Sequence, residues 1–478
     1  MSEENKAEKT DSISNFDFVL TKAEAETLKN DSRVRDVRWG TKTENGIMPM
    51  HNVTEPVRNH NRDNTVDNTD YPWAFAECTS RTSRYAGGTT SDYTHAYNLD
   101  GTGVDVIIQD SGIEVGHPEW LTRDGVTTRL KQIDWPVESG LSGVYTQGAQ
   151  HYTDQYGHGT HCASTTAGKL YGWANNADIY AIKIFDTDLY GVSASFNLMR
   201  AWHNLKKNDR PTIVNMSWGY FGTYTNIVGG NWRGTTWTGT SAEAQYGMVQ
   251  RNLLGGLYTH PVRVTSVDSD IEDCIEAGMI LVSAAGNAAH KMDLSTGLDY
   301  NNYWTSSTLG NRYYHQGGTP QASSNVICTG AIDYEYTLGQ EKSADFSEKG
   351  PRVDIFAPGY AIQAAIPSGA DLDSSSTTHP DNASYKIRKL QGTSMASPQV
   401  CGILTQLLQA RPYYTQADCL AWLQDQAVDS RLNDPTIGTP STDYQNFRAL
   451  NGANNKYLQT PFVSGLKYNF TGGISFTR

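Results

Sequence analysis

The sequence predicts an α/β protein, folded as a three-layer sandwich around a mostly parallel central sheet. From about residue 100 onward, short apolar runs alternate with helical patterns, which is typical of parallel sheets with crossover helices. The apolar runs are continuous rather than alternating, as expected of strands that are covered on both faces. Polar motifs follow several of these runs, and such sheets carry their reactive groups at the carboxyl ends of the strands.

Six strands and five helices are predicted in this region. The strands are expected at Val104–Gln109, Ile179–Phe185, Thr212–Ser217, Met279–Ser283, Asn325–Ala331 and Val353–Phe356. The helices are expected at 158–167, 194–207, 269–277, 394–410 and 415–427. Two stretches, 219–268 and 288–322, are rich in Gly, Asn, Thr, Tyr and Trp and too long for ordinary connections, so they are predicted to be elaborated surface loops.

The chain divides by pattern into four parts. Residues 1–40 contain a strand–helix–strand pattern of their own, which begins near residue 15. Residues 41–99 are predicted to be a linker and N-terminal extension, and their first part, 41–72, is rich in Asn, Asp, Thr and Arg. The main domain is expected over 100–450, and residues 451–478 form a tail with strand-like spacing of apolar side chains.

Composition narrows the class of protein. Among 478 residues, 38% are hydrophobic and 19% charged, which indicates a globular protein rather than a disordered one. The net charge of −13 disfavours nucleic-acid binding. Six scattered cysteines predict free, buried thiols rather than a disulfide framework. No stretch reaches the ~20 apolar residues that cross a bilayer, so no membrane partner is expected.

The N-terminal residues predict a location. MSEENKAEKTDS is polar and charged and lacks the apolar core of a secretory signal. This favours synthesis in the cytoplasm without a secretory signal, and would suit a protein that reaches a virus particle by assembly.

The first candidate motif is Asp110-Ser111-Gly112, directly after the apolar run VDVIIQ. A carboxylate at this point ends a buried strand, and Gly112 lets the chain turn away. Asp110 can be a cap for the next turn or a functional carboxylate, and this motif alone leaves both interpretations open.

The second motif is GHGTHC at 157–162. Small residues around His158 allow a helix to start close to other backbone, with the imidazole at its N-terminal end. His161 creates an H-x-x-H spacing that can hold a metal, but there is no H-E-x-x-H pattern and no evident acidic third ligand. Cys162 is expected on the same helix face as His158, in a packing role.

The third motif, GTSMASP at 392–398, opens a long apolar helix. A serine at a helix start is commonly an N-cap, but a nucleophile there would gain from the positive end of the helix dipole. Ser397 is an alternative nucleophile, although Pro398 after it suggests structural turn chemistry. Ser394 is therefore the preferred candidate.

The order of the three motifs along the chain favours the functional interpretation of each of them. A serine hydroxyl needs an imidazole to take its proton, and the imidazole needs a carboxylate that fixes its tautomer. The chain order Asp, His, Ser is one in which such triads occur. The α/β-hydrolases run Ser, Asp or Glu, His and require G-x-S-x-G, whereas 392–396 read GTSMA.

With these motifs, the sequence resembles the subtilase family of serine endopeptidases, and most of all its proteinase K branch. DSG at 110–112, GHGTHCA at 157–163 and GTSMASP at 392–398 match the family's three active-site motifs almost letter for letter. DIFAPG at 354–359 resembles the segment upstream of the nucleophile, and the likeness covers roughly residues 100–430.

The resemblance implies a subtilisin-like α/β fold and hydrolysis of polypeptide substrates through an acyl-enzyme. Asp110, His158 and Ser394 would form the catalytic triad. Asn287, in VSAAGN, would stabilise the oxyanion together with the Ser394 backbone N–H. No cofactor is required for this chemistry.

The resemblance also implies a substrate cleft. NMSWG at 215–219 resembles the family's substrate-binding strand, and the segment before Asn287 resembles its pocket floor. The predicted substrate-binding residues are Ser217, Trp218, Gly219, Ala284, Ala285 and Gly286. No acid is evident there, so apolar or aromatic residues are expected before the scissile bond.

Two features of the resemblance leave alternatives open. Residues 15–40 resemble the second half of the family's pro-peptide, or else form a small ornament that stays attached. Structural calcium is an option for Asp371–Asp381, which includes Asp373, but the segment can equally be an ordinary solvated loop. The sequence assigns no metal ligand.

A second hypothesis belongs to another class of protein. The chain could be a structural subunit of an assembly, such as a virus particle, that retains a subtilase fold with little activity. The polar N-terminus and the strand-like tail favour this, whereas the intact triad and Asn287 argue against a dead scaffold. An active peptidase docked in such an assembly would satisfy both sets of observations.

Overall fold

The computed structural model describes most of the predicted main domain. The described residues are Thr27, 58–60, 73–82, 95–122, 124–185, 189–249, 252–254, 257–323, 325–337, 340–373, 376–435 and 448–462. Apart from Thr27, the strand–helix–strand pattern near 15–40 therefore lies outside the described residues, as does the tail beyond residue 462. Val57–Ser464 form one compact unit, to which all the elements below belong.

The unit contains both strands and helices. The strands are β1 Arg58–His60, β2 His95–Tyr97, β3 Asp105–Asp110, β4 Asp178–Lys183, β5 Thr212–Met216, β6 Phe221–Thr223, β7 Ile227–Trp232, β8 Thr235–Thr238, β9 Asn252–Leu254, β10 Leu257–Pro261, β11 Ile280–Ala284, β12 Tyr303–Ser306, β13 Gly310–Tyr313, β14 Ile327–Thr337, β15 Gln340–Ser343, β16 Ile355–Pro358, β17 Ile362–Ile366, β18 Thr377–His379, β19 Asn382–Leu390, β20 Val428–Asp429, β21 Leu432–Asn433 and β22 Lys456–Tyr457. The helices are α1 Trp73–Cys78, α2 Trp135–Glu138, α3 His158–Ala167, α4 Val192–Leu205, α5 Thr265–Glu276, α6 Thr393–Ala410 and α7 Gln416–Gln426.

The central sheet confirms the predicted fold class. Its strands follow the order β4, β3, β5, β11, β14, β16, β22, β20, and every neighbouring pair from β4 to β22 is parallel. All six predicted strands are present in it, with ends shifted by a few residues. The predicted helix at 158–167 is α3, with the same bounds.

Alternate residues of the strands serve two separate cores. Val106 and Ile108 of β3 belong to the apolar cluster that also contains Cys162 of α3 and Val400 of α6. Ile107 between them belongs to the opposite cluster, which includes apolar side chains of α4 and α5. Burying one such aliphatic side chain contributes about 1.5–3 kcal/mol, so both faces of the sheet need a helical cover. This alternation produces the three layers.

The two long insertions fold together rather than as separate irregular loops. Strands β7 and β8 come from 219–268, and β12 and β13 come from 288–322. They pair antiparallel in one four-stranded sheet with the order β13, β12, β7, β8. Trp237, Trp304 and Tyr314 are buried against it in a cluster of their own. The sequence does not show this pairing, because the partners come from different insertions.

The state of the cysteines agrees with the prediction from composition. All six cysteines are free and buried. Among the described residues, no helix combines the length and the apolar character that a bilayer crossing needs.

Candidate active site

Asp110 is the last residue of β3, and its carboxyl group is fully buried. Its Oδ1 accepts the Ser111 backbone N–H at 2.8 Å. The chain then turns at Gly112, whose φ is +111°. A Cβ on Gly112 would lie 2.0 Å from the Thr153 carbonyl oxygen, so only glycine fits this turn. The glycine after the acid thus allows the backbone to leave the sheet directly behind the carboxylate.

His158 begins α3 and faces that carboxylate. Its Nδ1 lies 2.8 Å from Asp110 Oδ1, while 17% of its side chain remains exposed. The turn into the helix is made by Gly157, with φ of +96°. Burial lowers the pKa of His158, but the Asp110 carboxylate and the Cys162 sulfur together outweigh burial and hold that pKa well above 6.5. An imidazole fixed through Nδ1 presents Nε2 as its proton acceptor when it is neutral.

Ser394 is the second residue of α6, close to the positive end of that helix. Its Oγ donates to the Ser217 carbonyl at 3.1 Å, and its own carbonyl accepts from Ser217 Oγ at 2.9 Å. The hydroxyl must therefore rotate before it can donate to His158. Catalytic hydrogen bonds often tighten only when substrate is bound.

Cys162 brings the nucleophile candidate and the imidazole together. Its thiol donates to the Ser394 carbonyl at 3.4 Å and lies 3.8 Å from His158 Nδ1. Burial raises the pKa of the Cys162 thiol, so it stays protonated and acts as a packed spacer between α3 and α6.

Ser397, the alternative nucleophile, is buried, and its Oγ donates to Asn215 Oδ1 at 2.8 Å. Its hydroxyl ties α6 to β5. This leaves Ser394 as the serine of the motif that is partly exposed at the cleft.

Asn287 follows β11 and is oriented by Thr393, a residue that sequence reasoning missed. Asn287 Oδ1 accepts from the Thr393 backbone N–H at 2.8 Å and from its Oγ1 at 2.9 Å. Thr393 Oγ1 in turn accepts the Gly286 N–H at 3.0 Å. Because both anchors hold the amide oxygen, Nδ2 is left as the donating end of Asn287. The GTS motif was the one available signal, and it gave no partner for the threonine.

The predicted substrate segments leave the sheet side by side. Strands β5 and β11 are parallel neighbours, with Met216 opposite Ser283. Ser217 then contacts Ser394 on one side, while Gly286 contacts Thr393 on the other. The stretches 217–219 and 284–286 therefore flank the start of α6, and the space between them is called the cleft.

Trp218 supports the first of these stretches from beneath. Its side chain is buried, and Nε1 donates to Gln109 Oε1 at 3.0 Å. Gln109 is itself held, since its Nε2 donates to Ser195 Oγ at 2.7 Å. On the other stretch, Ala284 and Ala285 are buried. These contacts make both walls of the cleft parts of the packed core.

Glu348 is an acid beside the cleft that the sequence did not reveal. Its backbone N–H donates to the Gly286 carbonyl at 2.9 Å, and a Cβ on Gly286 would lie 2.6 Å from Glu348 Oε1. The carboxyl is fully buried, and neither oxygen has a hydrogen-bond partner among the described residues. Burial raises the pKa of Glu348 well above 4.5, and the weaker effect of Lys349 lowers it. Burial therefore favours the protonated, uncharged form of the Glu348 carboxyl.

The remaining candidate metal ligands are engaged by the protein. His161 Nε2 contacts the Ile362 and Arg388 carbonyls at 3.0 and 3.1 Å. Asp373 accepts the Gly369 N–H at 2.8 Å, and Asp381 pairs with Lys169 at 2.9 Å. Among the described residues, the cluster of three potential ligands is Asp110, His158 and Cys162, within the site itself. Calcium binding near 371–381 stays a prediction.

Comparison with known proteins assigns the chain to a family. Residues 101–456 match the profile of the Subtilase family, peptidase S8. The subtilisin-like proteinase Mp1 of Magnaporthiopsis poae is 26% identical over 80% of this chain and 70% of its own length. The subtilisin-like protease 8 of Arthroderma benhamiae is 26% identical over 85% of this chain and 66% of its own length. The matches thus leave about a third of each relative uncovered.

A solved structure agrees in fold. A cold-adapted subtilisin-like serine proteinase matches with a TM-score of 0.50 at 20% identity, over 81% of this chain and 97% of that one. At this identity the likeness concerns the fold alone, and it confirms the subtilisin-like architecture.

The location predicted from the N-terminal residues is wrong. The relatives are fungal subtilisin-like proteases, which are extracellular, and this contradicts a cytoplasmic or virion-associated protein. The prediction depended on where the sequence begins, and that does not determine where the enzyme acts. The comparisons also give no support to docking in a virus particle.

Proposed function

Since the chain belongs to the subtilase family of serine endopeptidases, we propose that it cuts polypeptides with Asp110, His158 and Ser394 as its catalytic triad. The observation that carries the proposal is the 2.8 Å contact between His158 Nδ1 and Asp110 Oδ1, at the end of the helix that packs against α6. That contact fixes the tautomer that a general base requires.

The proposed first step is acylation of the serine. Ser394 Oγ attacks the carbonyl carbon of the scissile bond and gives its proton to His158 Nε2. The imidazolium that forms is stabilised by the Asp110 carboxylate, and it then protonates the leaving amine as the C–N bond breaks. A water molecule repeats the sequence on the acyl-enzyme and releases the acid product.

The oxyanion would be stabilised by two donors, Asn287 Nδ2 and the Ser394 backbone N–H. The anchoring of Asn287 Oδ1 by Thr393 supports this role, because it leaves Nδ2 as the free donor. Removing one such donor typically lowers turnover by ~10²–10³, or roughly 3–4 kcal/mol.

The substrate would bind as an extended strand along Ser217–Gly219, where backbone groups give affinity without demanding a particular side chain. The buried Trp218 indole supports this stretch, which keeps its backbone in place when a peptide binds. A polypeptide is accordingly the proposed substrate.

A serine-directed fluorophosphonate and a peptide substrate test the triad. Wild-type protein should be labelled at Ser394 and should cleave the peptide, whereas Ser394→Ala should lose both properties. Ser397→Ala is the matched control, because it changes the alternative serine of the same helix and should keep the label. Labelling of Ser394→Ala with retained cleavage would refute the assignment.

A further inference from the structure

The chemistry of the cleft suggests which residue it admits on the acyl side of the scissile bond. We propose that the Gln321 side chain fills the part of the cleft beside Gly219 and so restricts this acyl-side residue to a small side chain. The inference rests on the proposed function, because it assumes that substrate lies along Ser217–Gly219.

The side of the chain on which the space in front of Gly219 lies follows from the alternation of side chains after β5. The Ser217 side chain lies on the face of α6, since its Oγ donates to the Ser394 carbonyl at 2.9 Å. Trp218 points to the opposite face, where its ring lies 6.4 Å from that of Phe196 in α4. Side chains of an extended chain alternate between its two faces, and by continuing this alternation past Trp218 we infer that the space in front of Gly219 lies on the same side as Ser394.

The Gln321 amide occupies that space. A Cβ placed on Gly219 would lie 2.1 Å from one end of the amide and 2.9 Å from its carbonyl carbon. A Cβ on Gly318 would also meet the amide, at 3.1 Å. The Gln321 side chain thus occupies the space beside both Gly219 and Gly318. Gln321 is only 1% exposed, so it is packed into the wall and does not stand free in solvent.

The loop that carries Gln321 is tied to the first insertion and to the cleft wall. The Tyr220 N–H donates to the Thr319 carbonyl at 3.0 Å, and the Thr319 N–H donates to the Val262 carbonyl at 3.0 Å. Thr319 Oγ1 also donates to the buried Asp268 carboxylate at 2.7 Å. With its nitrogen turned toward the loop, the Gln321 amide donates to the Thr319 carbonyl at 3.0 Å. Moving the amide away would therefore break its hydrogen bonds to the Thr319 and Gly318 carbonyls.

The opposite wall of the cleft offers no carboxylate that could pair with a charged acyl-side residue. Glu348 lies behind Gly286, but it is fully buried, and burial raises its pKa and so favours the uncharged carboxyl. A lysine or arginine would find no counter-ion there. The cleft as built thus suits glycine, alanine or serine, rather than the apolar or aromatic residues that the sequence suggested.

Peptides that differ only in the acyl-side residue test the inference. For the wild-type protein, kcat/KM should be at least about 10-fold higher with alanine than with leucine, phenylalanine or lysine, since a mismatch of one methylene changes it about 10- to 200-fold. Gln321→Ala should raise kcat/KM for leucine or phenylalanine by about 10-fold or more, and change that for alanine by less than about 3-fold.

Two further variants separate filling of the cleft from general damage. Gln321→Met has nearly the same volume without the amide, so it should still exclude leucine and phenylalanine, and it keeps the test valid if Gln321→Ala folds poorly. Gln245→Ala removes an exposed glutamine of the first insertion and should leave the substrate profile unchanged.

The outcomes distinguish this inference from the proposed triad. A wild-type protein that is labelled by the fluorophosphonate but prefers phenylalanine over alanine would overturn the role of Gln321 alone. The same holds if folded Gln321→Ala cleaves with an unchanged profile. Absence of both labelling and cleavage in the wild-type protein would instead overturn the proposed function, and this inference with it.

Discussion

Replacing Thr393 by valine tests how the fold orients Asn287 in the proposed oxyanion site. The Thr393 hydroxyl donates one of the two hydrogen bonds to Asn287 Oδ1 and accepts the Gly286 N–H. Thr393→Val has almost the same shape but loses both contacts, while the backbone N–H of residue 393 still holds the amide oxygen. We expect the Asn287 amide to be less well oriented, without being removed.

The size of the effect follows from the contacts. Loss of a complete oxyanion donor costs roughly 3–4 kcal/mol, and one of two anchors remains, so about half of that, or a 10- to 30-fold fall in kcat, is expected. KM should change little, because the amide acts on charge that develops in the transition state. The unpaired Gly286 N–H should also lower the free energy of unfolding by about 1–3 kcal/mol.

Steady-state kinetics with a chromogenic peptide measure kcat and KM in a cycle with Asn287→Ala. In the Asn287→Ala background, Thr393→Val should lower kcat by less than about 3-fold, since the group that it orients is gone. Thr405→Val is the matched control: Thr405 is buried in the same helix, and its Oγ1 bonds only within that helix, to the Cys401 carbonyl. That control should affect stability but not kcat.

Two results would refute the reasoning. One is a kcat for Thr393→Val within about 2-fold of the wild-type value at temperatures where both proteins are folded. The other is a fall in kcat of the same size with and without Asn287, because the threonine would then act independently of the amide.

Two predictions concern protons. Burial lowers the pKa of His158, but the Asp110 carboxylate and the Cys162 sulfur together raise it above 6.5. Only the neutral imidazole accepts a proton, so kcat/KM should rise with pH along an acid limb whose midpoint lies above 6.5. In Asp110→Asn the residual activity should be far lower and its midpoint should shift to lower pH; an unchanged midpoint would contradict this electrostatic role. The raised pKa of Glu348 means that folding takes up a proton above the pH at which an unfolded glutamate ionises, so its contribution to stability is lost as pH rises. Between the pKa of an unfolded glutamate and the raised pKa in the folded protein, the stability of Glu348→Gln relative to wild type should therefore increase by about 1.4 kcal/mol for each pH unit. At pH 4 the two proteins should differ little in this respect. Denaturant melts at pH 4, 6 and 8 measure this, and an advantage that does not vary with pH would show that the carboxyl is not protonated in the folded protein.

Much of the main domain could be predicted from the sequence, because its signals are local. Continuous apolar runs identified the strands of the parallel sheet, and the helix at His158–Ala167 was predicted with its observed bounds. Asp110 and His158 lie together because both sit at the carboxyl edge of that sheet. The prediction of location was wrong because it did not depend on such signals. It depended on the first dozen residues, which carry no information about packing or chemistry.

The sequence by itself determined which residue types are available at the ends of the strands and the start of the long helix. Apolar periodicity and glycine-rich turns depend on a few neighbouring positions, so they can be recognised in the sequence alone. Only the tertiary structure decided which side chains orient and border the site: Thr393 on Asn287, Gln321 in front of Gly219, and Glu348 behind Gly286. These partners are separated by tens of residues or more, and they meet only because parallel strands and two insertions converge at one edge of the sheet. Close packing, unlike periodicity, has no local pattern in the chain.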